Sequence, residues 1–584
     1  MLKRLLHSMR REHRARLSAD TVTALNDAGI SAWHRGDLAA AERELRAAIA
    51  ANPAFAPAYG NLGMVIWEQR RLDEGLATLR QAVALDPDHI GARINLANAL
   101  AIGNVHQEAI GHYREVLRRR HGHPLATANL LKPLLDVCDW DGADAIVSEL
   151  VERWRTASGG EILDSMTPFV SLLVDIPQAM RLDVARRYGK RVVEQVADLP
   201  RPARATGRGA GRLRIGYASA DFHDHATAHL AAGLFERHDR ERFEVYAYSF
   251  GIDDGSDYRK RLVAAFEHFR DVRTLAHHEI AQRIAADGVD ILVDLKGYTG
   301  EGRPQVLALR PAPVQVNYLG YPGAMAAPFV DFIFADGILI PPGEERWYGE
   351  EVVRLPESYQ PNDDRQPIAE HVPARGELGL PDSAFVFVSF NEQCKIERAI
   401  FDCWMRILGA VPSSVLWLLG GHGETALRRA AAARGVDPSR IVFAPKRPKP
   451  AHLARHRAAD LFLDTHTCNA HTTASDALWA GLPLLAWPGE GFAGRVSSSL
   501  LRAIGLPELV APDLESYERT AVALAREPER LGALRARLAD NRLRGPLFDT
   551  ERFTRNLEAA YVAVWERHRA AQADSARSQS AMAC

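Results

Sequence analysis

The sequence predicts an α-helical solenoid followed by a pair of Rossmann-like α/β lobes, and three observations carry that expectation. Residues of matched size recur every 34 positions through roughly the first 120 residues. A Pro-, Arg- and Gly-rich stretch from Leu199 to Arg212 then breaks the pattern. Beyond it, short apolar runs alternate with amphipathic segments, the pattern of parallel sheets with crossover helices.

Residues 1–20 read as a basic leading helix, solvated or resting on an acidic partner, and they lack the apolar core and cleavage site of a signal peptide. In residues 21–120, Ala41, Gly75 and Ala109 share one period with Leu45, Leu79 and Tyr113, and with Ala48, Ala82 and Val116. Pro53 and Pro87 open turns at the same spacing. This is the tetratricopeptide period, in which small residues let antiparallel helices approach closely and successive pairs stack into a surface suited to peptide. Residues 121–205 read as degenerate helical repeats and linker, since the apolar stripe from Leu130 to Trp140 is broken by Pro133 and the period is lost.

Residues 206–375 read as an N-terminal Rossmann-like lobe with strands at 213–219, 243–248, 289–295 and 330–334. Residues 376–570 read as a C-terminal lobe with strands at 384–390, 414–419, 441–444, 460–463 and 484–487, closed by an amphipathic helix over 550–567. The Ala-, Ser- and Gln-rich tail, 571–584, reads as disordered. Open α/β sheets bind ligands at the carboxyl ends of their strands, which places the expected site in the cleft between the lobes.

With 584 residues, the chain exceeds what one hydrophobic core organises. Its 47% hydrophobic and 25% charged composition is that of a soluble globular protein. A net charge of −2 supplies no global field for nucleic acid, and no run has the length of a membrane span. Five cysteines without metal-ligand spacing suggest a reducing, cytoplasmic setting.

The chemistry concentrates at strand ends. From Asp464 to Pro483 a buried strand turns into a helix whose free amides, with the hydroxyls of Thr472 and Thr473, suit a phosphate; the alternative is an ordinary capped helix. Asp476, one turn on, suits ribose hydroxyls. Lys395, just past the first strand of this lobe, suits the charge of the same phosphate or else only solubilises the surface. The basic segment from Pro445 to Arg457 reaches toward the same mouth, where Arg and His can meet a nucleobase. In the first lobe, the strand ending at Ser219 runs into His223, His225 and His229 with Asp221 and Asp224. A substrate contact is the preferred reading there, ahead of a helix cap and of a metal site, because the spacing does not gather three imidazoles on one face. Neither GxxxxGK[ST] nor GxGxxG occurs. The two DxD sequences, Asp86-Pro87-Asp88 and Asp139-Trp140-Asp141, fall in the helical region, so no metal-binding diphosphate motif is placed in the lobes.

In order along the chain, the repeats are followed by Val137-Cys138-Asp139-Trp140, Ile215-Gly216-Tyr217, Asp221-Phe222, His225 to Leu230, Gly297-Tyr298-Thr299, Leu309 to Gln315 and Leu319 to Gly323. Ser389-Phe390-Asn391 with Lys395, Cys468 to Asp476 and Pro488-Gly489-Glu490 complete the series. Together they resemble the O-linked N-acetylglucosamine transferase/SPINDLY family, over nearly the whole chain. The resemblance implies a bacterial-type enzyme of GT-B architecture, an inverting, metal-independent protein O-GlcNAc transferase without a cofactor. It implies UDP-GlcNAc as donor, Ser or Thr of proteins as acceptor, and acceptor proteins bound by the solenoid.

Residue by residue, it implies catalytic roles for His225 and Lys395. Lys449, His452 and Arg455 would surround the uridine, with Cys468, His471, Thr472 and Thr473 by the diphosphate and Asp476 on the ribose. Tyr298, Tyr321, Pro322 and Glu392 would form the cleft wall. Glu392 departs from the uncharged Gln of the animal enzymes and leaves two alternatives: another sugar donor, or a non-catalytic peptide-binding scaffold.

Overall fold

The computed structural model describes residues 19–156, 160–203 and 211–582. The leading helix expected over residues 1–20 lies outside the described residues except for its last two positions.

Helices Ala19–His34 and Leu38–Ala51, Ala56–Glu68 and Leu72–Leu85, and Ile90–Ile102 and His106–Arg119 stack as successive pairs. The recurring positions are the ones these pairs bury: Ala41, Leu45, Ala48, Leu79, Ala82, Ala109, Tyr113 and Val116. The approach is close enough that a Cβ on Gly63 would stand 2.6 Å from Leu79.

The period does not stop at residue 120. Pro124–Asp136 and Trp140–Arg155 form a fourth pair, with Ala143 and Leu150 buried at the places of Ala109 and Val116. Two substitutions hide it in the sequence: Pro133 sits inside the first helix, and His121 stands where the earlier turns have proline. Near the C-terminal end of that helix, a proline costs one hydrogen bond without ending it. Helix Gln178–Gln195 then leads toward the sheets.

The first lobe is built on β1 (Leu213–Ser219), β2 (Phe243–Ser249), β3 (His268–Asp271), β4 (Ile291–Asp294), β5 (Val314–Asn317), β6 (Phe332–Asp336) and β7 (Glu351–Leu355). All pair in parallel, in the order β3-β2-β1-β4-β5-β6-β7. The sequence reading missed β3, β5 and β7. The edge strands β3 and β7 carry charged residues, whereas β5 buries Gln315 and Asn317 completely. Their amide N–H groups are met by the carbonyls of Leu307 and Gly323, while Gln315 Oε1 and Asn317 Oδ1 are buried without a hydrogen-bond partner.

The second lobe has β8 (Phe385–Ser389), β9 (Ser414–Leu419), β10 (Ile441–Ala444), β11 (Leu461–Leu463) and β12 (Leu484–Leu485), in the order β10-β9-β8-β11-β12. Strand order reverses between β1 and β4 in one lobe and between β8 and β11 in the other, the points at which parallel sheets open a crevice.

The last helix, Thr550–Met582, returns to the first lobe, where the hydroxyls of Tyr561 and Tyr217 meet at 2.9 Å. It is helical through 571–582, where composition suggested disorder; alanine, frequent in that stretch, is the strongest helix former.

Candidate active site

The site is built at the second switch point. Buried Asp464, at the end of β11, accepts hydrogen bonds at its Oδ1 from the amides of Thr465 and Ala470, both at 2.8 Å, and from Asn391 Nδ2 at 3.0 Å. These contacts fold the 464–471 loop over the strand end. Helix Thr472–Trp479 starts next, and no side chain caps it. Its first amides and the positive end of its dipole therefore face the mouth. Thr473 Oγ1 donates to Asn391 Oδ1 at 2.7 Å. The sequence reading gave that hydroxyl to a phosphate, but the structure commits its proton to the framework.

Lys395 lies on the short turn that follows β8 and donates to the carbonyl oxygen of Asn469 at 2.9 Å, so its ammonium stands over the loop that opens the helix. Beside it, burial pushes the Cys468 thiol up, with Lys395 opposing. His471 donates from Nε2 to the Ala493 carbonyl at 3.0 Å, and burial followed by Lys395 lowers it to about 3. His471 is therefore a neutral neighbour of the cation.

Asp476, 4% exposed, pairs with buried Lys449, and its Oδ2 stands 3.5 Å from His452 Nε2. Burial raises its carboxyl, but Lys449 and His452 outweigh that effect and hold it far below the usual range. Asp476 is thus the buried anchor of Lys449 and His452 as well as a candidate ribose acceptor. Arg455, 1% exposed, meets His452 Nδ1 at 2.5 Å and lies over the Phe390 ring at 4.3 Å. A buried, cationic, aromatic-backed cluster of this kind suits the edge of a nucleobase site.

The first lobe faces this arrangement with helix Ala226–Glu236, which packs against Thr472–Trp479. His225 is its N-cap: Nδ1 accepts the Thr227 amide at 3.2 Å while 41% of the side chain remains exposed. The cap and the open face coexist in one residue. Accepting at Nδ1 leaves the proton of the neutral ring on Nε2. Burial lowers the imidazole to about 4, opposed by Asp221 and aided by Lys296. His225 is therefore a neutral donor at physiological pH, a geometry that fits positioning better than general-base chemistry.

The other two histidines turn elsewhere, His229 to Asp224 at 2.6 Å and His223 toward Asp254 at 3.8 Å. Among the described residues, no three His, Cys, Asp or Glu side chains gather as a metal-binding group.

The expected cleft wall is only partly a wall. Tyr298 is buried against Tyr188 of helix Gln178–Gln195 and against Tyr321, behind the cleft surface. Tyr321 and Pro322 line a crevice shared with Arg181, Thr467 and Ala493, where the helical region meets both lobes. Glu392 stands at the rim, mostly exposed, and pairs with Lys446 at 2.9 Å. Its charge is met locally.

Asn391, Asp464 and Glu397 received no role from the sequence, although Asn391 falls within a motif quoted for the family. Glu397 accepts from the amide and hydroxyl of Thr467 at 2.7 and 2.8 Å, a second brace on the same loop. Asn61, Asn95 and Asn129 were also missed, and the 34-residue spacing would have found them. They lie on the first helices of three successive pairs and bond within the solenoid: Asn61 donates to Asn26 at 2.9 Å, Asn95 to the Gly60 carbonyl at 3.2 Å and Asn129 to Asn98 at 2.9 Å.

Comparison with known proteins gives a consistent answer. The model of glycosyl transferase family 41 matches residues 137–372 and 362–557, and a tetratricopeptide repeat model matches 26–90 and 67–124. The probable UDP-N-acetylglucosamine–peptide N-acetylglucosaminyltransferase SEC of Arabidopsis thaliana is 37% identical over 75% of this chain and 47% of its own. The UDP-N-acetylglucosamine–peptide N-acetylglucosaminyltransferase of Caenorhabditis elegans is 30% identical over 74% of this chain and 48% of its own. The chain thus spans about half the length of these curated relatives. A solved structure of an O-GlcNAc transferase mutant from Thermobaculum terrenum superposes with a TM-score of 0.67 at 29% identity, covering 94% of this chain and 98% of that one.

Proposed function

The chain belongs to glycosyl transferase family 41, and on that premise we propose that it is a protein O-GlcNAc transferase that moves GlcNAc from UDP-GlcNAc to Ser or Thr hydroxyls. The observation that carries this reading is a convergence at one switch point. The Lys449–Asp476–His452–Arg455 cluster, Lys395 and the uncapped start of helix Thr472–Trp479 gather there, and His225 caps the helix of the other lobe that packs against Thr472–Trp479.

The cluster borders the uridine, and Lys395 with the helix amides holds the diphosphate. The acceptor oxygen bonds to the anomeric carbon as the bond from that carbon to UDP breaks, and the hydroxyl proton leaves to another group or to water. Negative charge grows on the departing UDP, where a fixed ammonium and helix dipole act most strongly. His225 orients sugar and acceptor through Nε2–H. The solenoid presents the acceptor protein.

Free, buried Cys138, Cys394, Cys403 and Cys468 suit a reducing cytoplasm. No helix among the described residues is long and apolar enough to cross a membrane.

Thermal shift with UDP, GDP and CMP tests the donor. Stabilisation selective for UDP is expected. A preference for GDP would assign another sugar, and no shift with any of the three would favour a scaffold. Since Lys395 and the helix supply the positive charge, transfer should survive EDTA; strict dependence on Mg²⁺ or Mn²⁺ would overturn this account of the site.

A further inference from the structure

The helical region grips the turn that carries Lys395 from both sides. The Gln393 carbonyl receives Cys138 Sγ at 3.8 Å, and the Ile396 carbonyl receives Trp140 Nε1 at 2.8 Å. From the lobe itself, Gln393 closes the turn by accepting the Gly423 amide at 2.6 Å and donating to the Leu419 carbonyl at 3.1 Å.

Trp140 is held in place as a buried donor. It packs on Phe401 at 5.2 Å, with the guanidinium groups of Arg398 and Arg434 at 6.0 and 5.8 Å from its ring. Arg398 in turn pairs with Asp141 and Asp144 of the same helix, at 2.6 and 3.0 Å. Cys138 precedes it at φ 54°, a left-handed conformation that a non-glycine residue keeps only when its surroundings hold it there. The segment Cys138-Asp139-Trp140 is therefore built to contact the Lys395 turn.

We propose that Trp140 is a positioning residue for Lys395: its indole N–H fixes the Ile396 carbonyl, and so the aim of the ammonium at the leaving diphosphate. The inference rests on the role given to Lys395 above. A displacement near 1 Å in a charge that acts on the leaving group is enough to cost roughly a hundred-fold in rate.

The test uses the full chain and UDP-GlcNAc hydrolysis, with water as acceptor. W140F keeps a ring but removes the donor, whereas W140H keeps a ring N–H. W140F should lower kcat roughly ten- to hundred-fold with KM little changed, and W140H should recover part of the loss. On a Lys395→Ala background W140F should cause no further loss, because the two residues act through one contact. Hydrogen exchange across residues 390–397 should rise in W140F while the rest of the second lobe keeps its protection.

Equal losses in both backgrounds, an unchanged kcat, or unchanged exchange over 390–397 would overturn the proposal. A wild-type chain that neither binds nor turns over UDP-GlcNAc would instead sink the donor reading, and the exchange comparison would still decide the positioning. Should W140F fail to fold, Cys138→Ala removes the contact on the other side of Lys395 and is read in the same assays.

Discussion

Protonating His225 would cost helix Ala226–Glu236 its cap, because Nδ1 can accept the Thr227 amide only while the ring is neutral. Its folded value, about 4, lies below the free value of 6.5, so the folded state binds this proton less readily. The contribution to stability is complete above pH 6.5 and is lost as pH falls through 4. Denaturant unfolding of His225→Gln against wild type should show the two curves converging across that window. The same variant separates chemical roles. A Gln amide can replace an Nε2–H donor but not a base, so His225→Gln should retain kcat within about ten-fold, while His225→Ala raises KM for both substrates. A kcat lost equally in both would restore the general base. Lys395→Ala should lower kcat for donor hydrolysis by roughly two to three orders of magnitude while UDP affinity falls less, checked by steady-state kinetics and calorimetry. A histidine among residues 223–229 and Lys395 were candidates because each follows a strand end, whereas the choice of His225 among the three histidines came from the family resemblance. The commitment of Thr473 to Asn391 was not legible, since it depends on two segments 82 residues apart meeting at the switch point.

At the scale of elements, the central strands and the helix at Thr472 were readable from apolar runs and turn residues. β5 was not, because Gln315 and Asn317 break its apolar run, and the carbonyls that meet their amide N–H groups are supplied only by the folded chain. The fourth helix pair was readable only as a degenerate repeat, because Pro133 breaks its stripe, although its buried positions keep the spacing. Asp476 shows the same limit, since a ribose ligand read from position proves also to be half of a buried ion pair between Thr472–Trp479 and Lys449–Arg455. Breaking such a pair leaves a bare buried charge. Lys449→Met should therefore cost about 3–5 kcal/mol of stability. Adding Asp476→Leu should restore much of that stability without restoring UDP binding, as thermal unfolding and calorimetry would show. A Lys449→Met variant as stable as wild type would mean the pair is open to solvent.

Across the whole molecule, the solenoid and the lobes are not separable at the boundary the sequence suggested. The second, third and fourth helix pairs share one buried cluster, which holds Trp67 and Leu79 as well as Tyr113, Val116, Leu130, Leu131 and Leu134. His106 of the third pair packs on His422 of the second lobe at 4.6 Å between ring centroids. Deleting residues 1–87 removes Met64, Trp67 and Leu79 from that cluster and should lower stability, yet it should spare UDP binding and donor hydrolysis while abolishing transfer to protein; deletion through residue 120, which also removes the His106 contact, should destabilise the lobes further. Undiminished protein transfer after the shorter deletion would remove the proposed role of the first two pairs. The most direct test of the central claim is mass spectrometry of proteins from the host lacking this gene, incubated with the purified full chain, UDP-GlcNAc and EDTA. The account predicts the mass of one N-acetylhexosamine on Ser or Thr residues, absent with Lys395→Ala; no modified residue, or modification only from a GDP-sugar, would contradict it.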